Sequence, residues 1–143
     1  MIQITTEKAA ELLNDAEINY LADIYLACYG LNRSDRSYRR FKNAVVLVSS
    51  GVTDYGKVCR AIAELEQKSE KAVADGIGKT VNSLPRPAYK IFNETYSQPR
   101  SHASDNQTIQ TLTMPPYEKP ADVVLFLGTA FLYIRLINYN KFV

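Results

Sequence analysis

The chain has 143 residues, 46% of them hydrophobic and 22% charged, with a formal net charge of +2. That length builds one domain with a sizeable core rather than two, and the near-balanced charge excludes a protein that holds nucleic acid by bulk positive potential, so a polyanion would have to meet a local patch. Two cysteines, Cys28 and Cys59, and one histidine, His102, do not make a zinc set. Both thiols fall in apolar helical patterns and read as reduced core residues of a cytoplasmic protein. The polar, amphipathic start MIQITTEKAAELL does not have the form of a signal peptide.

The first predicted helix runs from Thr6 to Ala16, capped by Thr5 or Thr6, with Ala9, Leu12, Leu13 and Ala16 on its apolar side. The second runs from Ile18 to Tyr29, with Gly30 placed to stop it. Asn14 and Asp15 are only a mild break, so fusion of the two is an open alternative. After the polar connector LNRSDRS comes YRRFKNAVVLVSS. Its Val45, Val46 and Val48 favour a strand by propensity, but Tyr38, Phe41, Val45 and Val48 fit a helical stripe and no partner strand lies nearby, so a helix is predicted. Arg33, Arg36, Arg39, Arg40 and Lys42 crowd this region. They have two readings, a solvated charged face or a patch that contacts phosphates.

The segment from Val52 to Leu84 predicts two helices, about Asp54 to Gln67 and Glu70 to Leu84. Val58, Ala61, Ile62 and Leu65 form one stripe, and Val73, Ile77, Val81 and Leu84 the other. The turn between them is Lys68-Ser69, with Ser69 as the cap of the second helix. The pair has the form of a helix-turn-helix. Pro85 and Pro87 end it. AYKIFNETY is predicted as a helical turn or two, and residues 97–116 as a long flexible polar loop, with a hairpin around Thr108 to Thr113 only faintly signalled.

Pro120 opens the last helix. Its uncharged run, Val123 to Ile134, is shorter than the ~20 residues of a membrane span, and Arg135 interrupts it. It is predicted as a central core helix or a surface for a homodimer or other protein partner, with no membrane role. The sum is a single all-α domain, a multi-helix bundle of about six helices. No Gly-rich phosphate loop, metal cluster or nucleophile–histidine order points to an enzyme or a cofactor. Most of the ten tyrosines fall in helical stripes and read as core or rim residues.

Gly30 and Tyr38, the helix YRRFKNAVVLV, Lys57-Val58 with Ile62-Ala63, the Val73/Ile77/Val81 spacing and Lys119-Pro120 before a helix together resemble the DNA-binding effector domain of the sporulation response regulator family, stage zero sporulation protein A. The resemblance runs from about Leu21 to the C-terminus and rests mostly on core positions, so it speaks to fold before activity. It implies a cytoplasmic transcription regulator that binds double-stranded DNA. The short stretch before Leu21 has no room for a phospho-acceptor pocket, so no receiver domain is expected within this chain.

In that family the recognition helix presents Glu and Arg to the major groove. Here those places hold Ala74, Asp75 and Gly78, and Ala and Gly have no side-chain donor for a base edge. Under the DNA-binding reading, Arg36, Arg39, Arg40 and Lys42 contact phosphates. Ser69, Lys71, Lys79 and Asn82 lie with Ala74, Asp75 and Gly78 on the groove side of the second helix. The competing reading is a protein-interaction module that keeps the fold without the readout. Gly76 and Gly78 each weaken a helix interior by about 1 kcal/mol, which suits close approach of another element.

Overall fold

The computed structural model describes residues 4–31, 33–84, 89–90, 112–113 and 119–141, with 89–90, 112–113 and 138–141 as backbone only. The architecture is an all-α bundle. Its helices among the described residues are α1 (Thr6–Leu13), α2 (Ala16–Ala27), α3 (Tyr38–Ser49), α4 (Tyr55–Glu66), α5 (Glu70–Ser83) and α6 (Pro120–Lys141).

The first two helices stay separate because each has its own cap. Thr5 accepts from the Lys8 N–H at 3.1 Å, and Asp15 accepts from the Ile18 N–H at 3.0 Å. The Asn19 side chain donates to the Leu13 carbonyl at 2.7 Å, satisfying an acceptor that the end of α1 leaves open. Gly30, at φ 84, turns the chain after α2.

α3 is the hub. It packs against α1, α2, α4, α5 and α6, and Val45, Val46, Leu47 and Val48 are all buried. This resolves the conflict between strand propensity and helical stripe. A β-branched residue costs a few tenths of a kcal/mol in a helix, whereas burying a valine gains about 1.5 kcal/mol or more. Gly51, at φ 105, ends the helix. Its N–H bonds to Val48 O at 3.0 Å and the Val52 N–H to Leu47 O at 3.2 Å, the paired closure of a Schellman motif.

α4 and α5 form the expected helical hairpin. Gln67 takes the left-handed conformation at φ 56, and Ser69 accepts from the Ala72 N–H at 3.0 Å to start α5. Val58, Ala61 and Ile62 face Val73, Ile77 and Val81 in the common core, while Leu65 is only partly covered.

Two expectations are corrected between α5 and α6. Tyr89–Lys90 is not helical. It forms strand β1, antiparallel to β2 (Leu112–Thr113), with Tyr89 opposite Thr113. The pairing joins stretches far apart in the chain, which local periodicity cannot register. For the same reason Leu112 and Thr113 pair with this earlier segment rather than within a local hairpin. The remainder of the predicted loop at 97–116, with His102, lies outside the described residues.

α6, expected as a central core helix or as a surface for a partner, is buried on one side. Val123, Val124, Leu127, Phe131 and Ile134 face inward, while Leu125, Leu132, Tyr133, Leu136 and Ile137 are exposed. Tyr25 of α2 stacks on Phe131 at 5.3 Å and donates its hydroxyl to Leu127 O at 3.0 Å. Arg135 bonds to Ser49 Oγ at 2.9 Å and Ser50 Oγ at 3.1 Å, placing its charge at the C-terminal end of α3, where the helix dipole favours a cation. By length and composition α6 satisfies the measure of a membrane-spanning helix over Pro120–Ile137, although a third of that window (33%) is buried in the bundle.

The crossing of α3 and α6 is close enough to require glycine. A Cβ on Gly128 would lie 2.4 Å from Val48 Cβ and Cγ1 and 3.0 Å from Val45 O. Gly128→Ala is expected to destabilise the protein by about 3 kcal/mol, the upper range for overpacking, as read by urea denaturation. Adding Val48→Ala should restore part of that loss. An unchanged midpoint in Gly128→Ala would show that the helices do not cross this tightly.

Candidate nucleic-acid interface

The five basic residues before and within α3 divide into two groups. Arg33, Arg40 and Lys42 have carboxylate partners within the protein, and of the three Arg33 is exposed while Arg40 and Lys42 are largely covered. Asp23 of α2 accepts the Tyr38 hydroxyl at 2.6 Å, pairs with Lys42 at 3.4 Å and lies 3.6 Å from Arg33. Lys42 also sits 5.9 Å over the Tyr38 ring. Arg40 bonds through Nε to Glu66 Oε1 at 2.8 Å and through Nη1 to Ala72 O at 3.0 Å, tying α3 to α4 and α5.

These partners correct the sequence reading of Arg40 and Lys42 as phosphate ligands. Their side chains are about three-quarters and more than four-fifths covered, at 24% and 14% exposure. Freeing Arg40 would leave Glu66 without its cation, and freeing Lys42 would take from Asp23 the nearer of its two cations. Glu66 is the other half of the Arg40 pair. Arg36 and Arg39 behave differently. Both are exposed, and neither makes an ion pair among the described residues.

The outward face of α5 is also narrower than expected. Lys71, Asp75, Lys79 and Asn82 are exposed and follow helical spacing. Lys71 pairs with Asp75 at 3.5 Å, so among the described residues Lys79 is the unpaired cation of that face. Ser69 serves as the helix cap. Ala74 packs against the core rather than facing a groove. Gly78 lies beneath Pro120, whose Cγ would be 3.8 Å from a Cβ there. The expected close approach occurs at Gly76, but to a side chain: a Cβ would come within 3.0 Å of Arg40 Cδ and Nη1.

Arg36, Arg39 and Lys79 come together along one groove of about 1190 Å³, bounded by α1, the start of α3, the end of α4 and the exposed side of α5. Ala10, Leu13 and Leu65 supply apolar wall, and Asp35 and Asp75 bring carboxylates to the rim. The Arg40–Glu66 pair is internally neutral and Asp75 pairs with Lys71 outside the groove, so among the described residues Arg36, Arg39 and Lys79 share the groove with the carboxylates of Asp35 and Asp75. Asn43, in the middle of α3, lines the same groove and is 8% exposed. Sequence reasoning missed it. The available signal was an amide side chain, unfavourable within a helix, set among Phe41, Ala44 and Val45.

Burial pushes the Cys59 and Tyr55 groups up together, and both cysteines are buried thiols outside any disulfide. Among the described residues no cluster of histidine, cysteine or carboxylate is arranged to hold a metal. Comparison with family models, with curated proteins and with solved structures returned no match.

Burial, and then the hydrogen bond to Asp23, hold the Tyr38 hydroxyl far above the ordinary phenol value of 10.0. The folded form therefore keeps a proton that the unfolded chain releases at about pH 10. The associated stability is complete below that pH and is lost as pH rises above it. Urea midpoints should fall between pH 8 and pH 11, and Tyr38→Phe should flatten that fall. An equally steep fall in Tyr38→Phe would show that Tyr38 is not the responsible group.

Proposed function

We propose that the protein binds double-stranded DNA through its backbone, with Arg36, Arg39 and Lys79 on the phosphates and the α4–α5 hairpin as the supporting frame. The observation that carries this reading is the convergence of three cations, unpaired among the described residues, along one groove edge: Arg36 before α3, Arg39 on α3 and Lys79 on α5. Cations without internal partners are free to exchange counterions for phosphates, the sequence-independent term that dominates affinity for duplex. The resemblance to the sporulation regulator's effector domain supports the same reading. The exposed side of α5 offers Lys71, Asp75, Lys79 and Asn82 but no arginine fork, so base discrimination is weak.

Under this reading, replacing Arg36, Arg39 and Lys79 together with Gln weakens binding to every duplex alike. It also reduces the slope of log affinity against log salt by roughly 2–3, about 0.9 for each phosphate no longer neutralised. Arg40→Ala acts instead through folding, with a stability loss of about 1–3 kcal/mol from the unpaired carboxylate and carbonyl. Fluorescence anisotropy with a labelled mixed-sequence duplex checks the first outcome and urea denaturation the second. A triple variant with unaltered affinity and slope contradicts the phosphate assignment.

A second reading, a protein-interaction role, is favoured by the outer face of α6. Leu125, Leu132 and Leu136 repeat at a heptad-like spacing flanked by Tyr133 and Ile137, and each is between 38% and 64% exposed. The occupant proposed for this stripe is a second copy of the chain. Its uncharged apolar side chains complement themselves, as an isologous interface requires. On the order of 500 Å² is available per copy, and two copies would bury about 1000 Å², the lower limit for a specific interface. Sedimentation should show a dimer at micromolar concentration that Leu132→Glu with Leu136→Glu converts to monomer. A wild-type chain that stays monomeric at high concentration, or that partitions into neutral lipid vesicles instead, overturns it.

A further inference from the structure

The groove that gathers Arg36, Arg39 and Lys79 also has a floor that phosphate binding does not use. Asn43 comes from the middle of α3, where the flanking Ala44 and Val45 are fully buried. The residue is itself more than nine-tenths covered, yet it borders the groove. Among the described residues its amide makes no hydrogen bond. A primary amide offers two donors and one acceptor, and the small part of Asn43 left uncovered is where it meets the groove. Ser49 and Thr80, the other buried polar side chains in this part of the bundle, are both bonded; among the described residues the fully covered side-chain atom of the groove without a hydrogen bond is Glu66 Oε2, on the carboxylate that pairs with Arg40.

The groove therefore has three chemical zones. Its rim carries the unpaired cations Arg36, Arg39 and Lys79. Its walls include Ala10, Leu13, Leu65 and Ala72. Its floor presents the Asn43 amide. We propose that this groove is a binding site for a nucleoside monophosphate, with the phosphate on the rim cations, the ring against the apolar wall and the base edge on Asn43. A phosphate monoester matches guanidinium and ammonium donors. An amide side chain presents a donor and an acceptor side by side, as a base edge does. At about 1190 Å³ the groove is larger than the usual ~300–1000 Å³ ligand pocket, so a mononucleotide enters without displacing a helix. The assignment rests on the groove alone and stands whether or not the protein binds duplex.

The test is calorimetric titration of the full chain with adenosine, guanosine, cytidine and uridine 5′-monophosphates, with adenosine and inorganic phosphate as controls. The same titrations are followed by NMR of the Asn43 side-chain amide. The expected result is saturable binding of at least one nucleotide that moves the Asn43 amide signals, with the nucleoside and inorganic phosphate each at least tenfold weaker. Asn43→Leu should reduce nucleotide affinity about tenfold, with a thermal melt confirming that the variant is folded. Arg36→Gln with Arg39→Gln should bring nucleotide affinity down to that of the nucleoside. No binding of any of the four nucleotides at millimolar concentration overturns the proposal. So does inorganic phosphate binding as tightly as the nucleotides, or full affinity in a stable Asn43→Leu variant. Loss of duplex binding with nucleotide binding intact would overturn the DNA reading and leave this one standing.

Discussion

Where α6 crosses α3, Gly128 lets the two backbones approach to a distance that no side chain would permit, with Val48 filling the space a Cβ would need. That crossing makes α3 the centre of the bundle. With α6 pressed on one side and α1, α2, α4 and α5 on the others, the valine-rich run of α3 is enclosed all round. Burial then outweighs its strand propensity. The same closeness brings Arg135 to the two serines at the end of α3 and sets Tyr25 on Phe131. Packing of this kind is intolerant of added volume because protein interiors approach crystal density.

A second consequence concerns charge. Because α3 is central, basic residues along it cannot all reach solvent. Arg40 and Lys42 point among neighbouring helices and take carboxylate partners there, Glu66 and Asp23. Arg36 precedes the helix and Arg39 lies on its open side, so both keep their charges outward. Gly76 belongs to the same arrangement, since a side chain there would meet the Arg40 guanidinium. What looks in sequence like one basic patch is thus an internal clamp between three helices and a smaller free set joined by Lys79.

Much of the helical frame was legible because it is written locally. The caps Thr5 and Ser69, the stop at Gly30, the place of Pro120 in the first turn of α6, and the paired stripes of α4 and α5 all depend on residues within a few positions of each other. The β1–β2 pairing and the division of basic residues depend on partners distant in sequence, and no local period encodes them. Which side of α6 is exposed was hidden for a different reason. Its apolar residues surround the helix, so hydrophobicity alone does not tell an inward side from an outward one. In the candidate site, Arg36, Arg39 and Lys79 were visible as charges, but Asn43 gains its meaning only from the groove it borders.

Backbone-amide NMR mapping of the full chain with a short mixed-sequence duplex at low salt would show directly whether this groove edge meets nucleic acid. Shifts are expected at Arg36, Arg39 and the Lys71–Asn82 face of α5, fading as salt is raised, with α6 unaffected. Shifts confined to α6, or none at low salt, would contradict the assignment of this groove edge as a nucleic-acid interface.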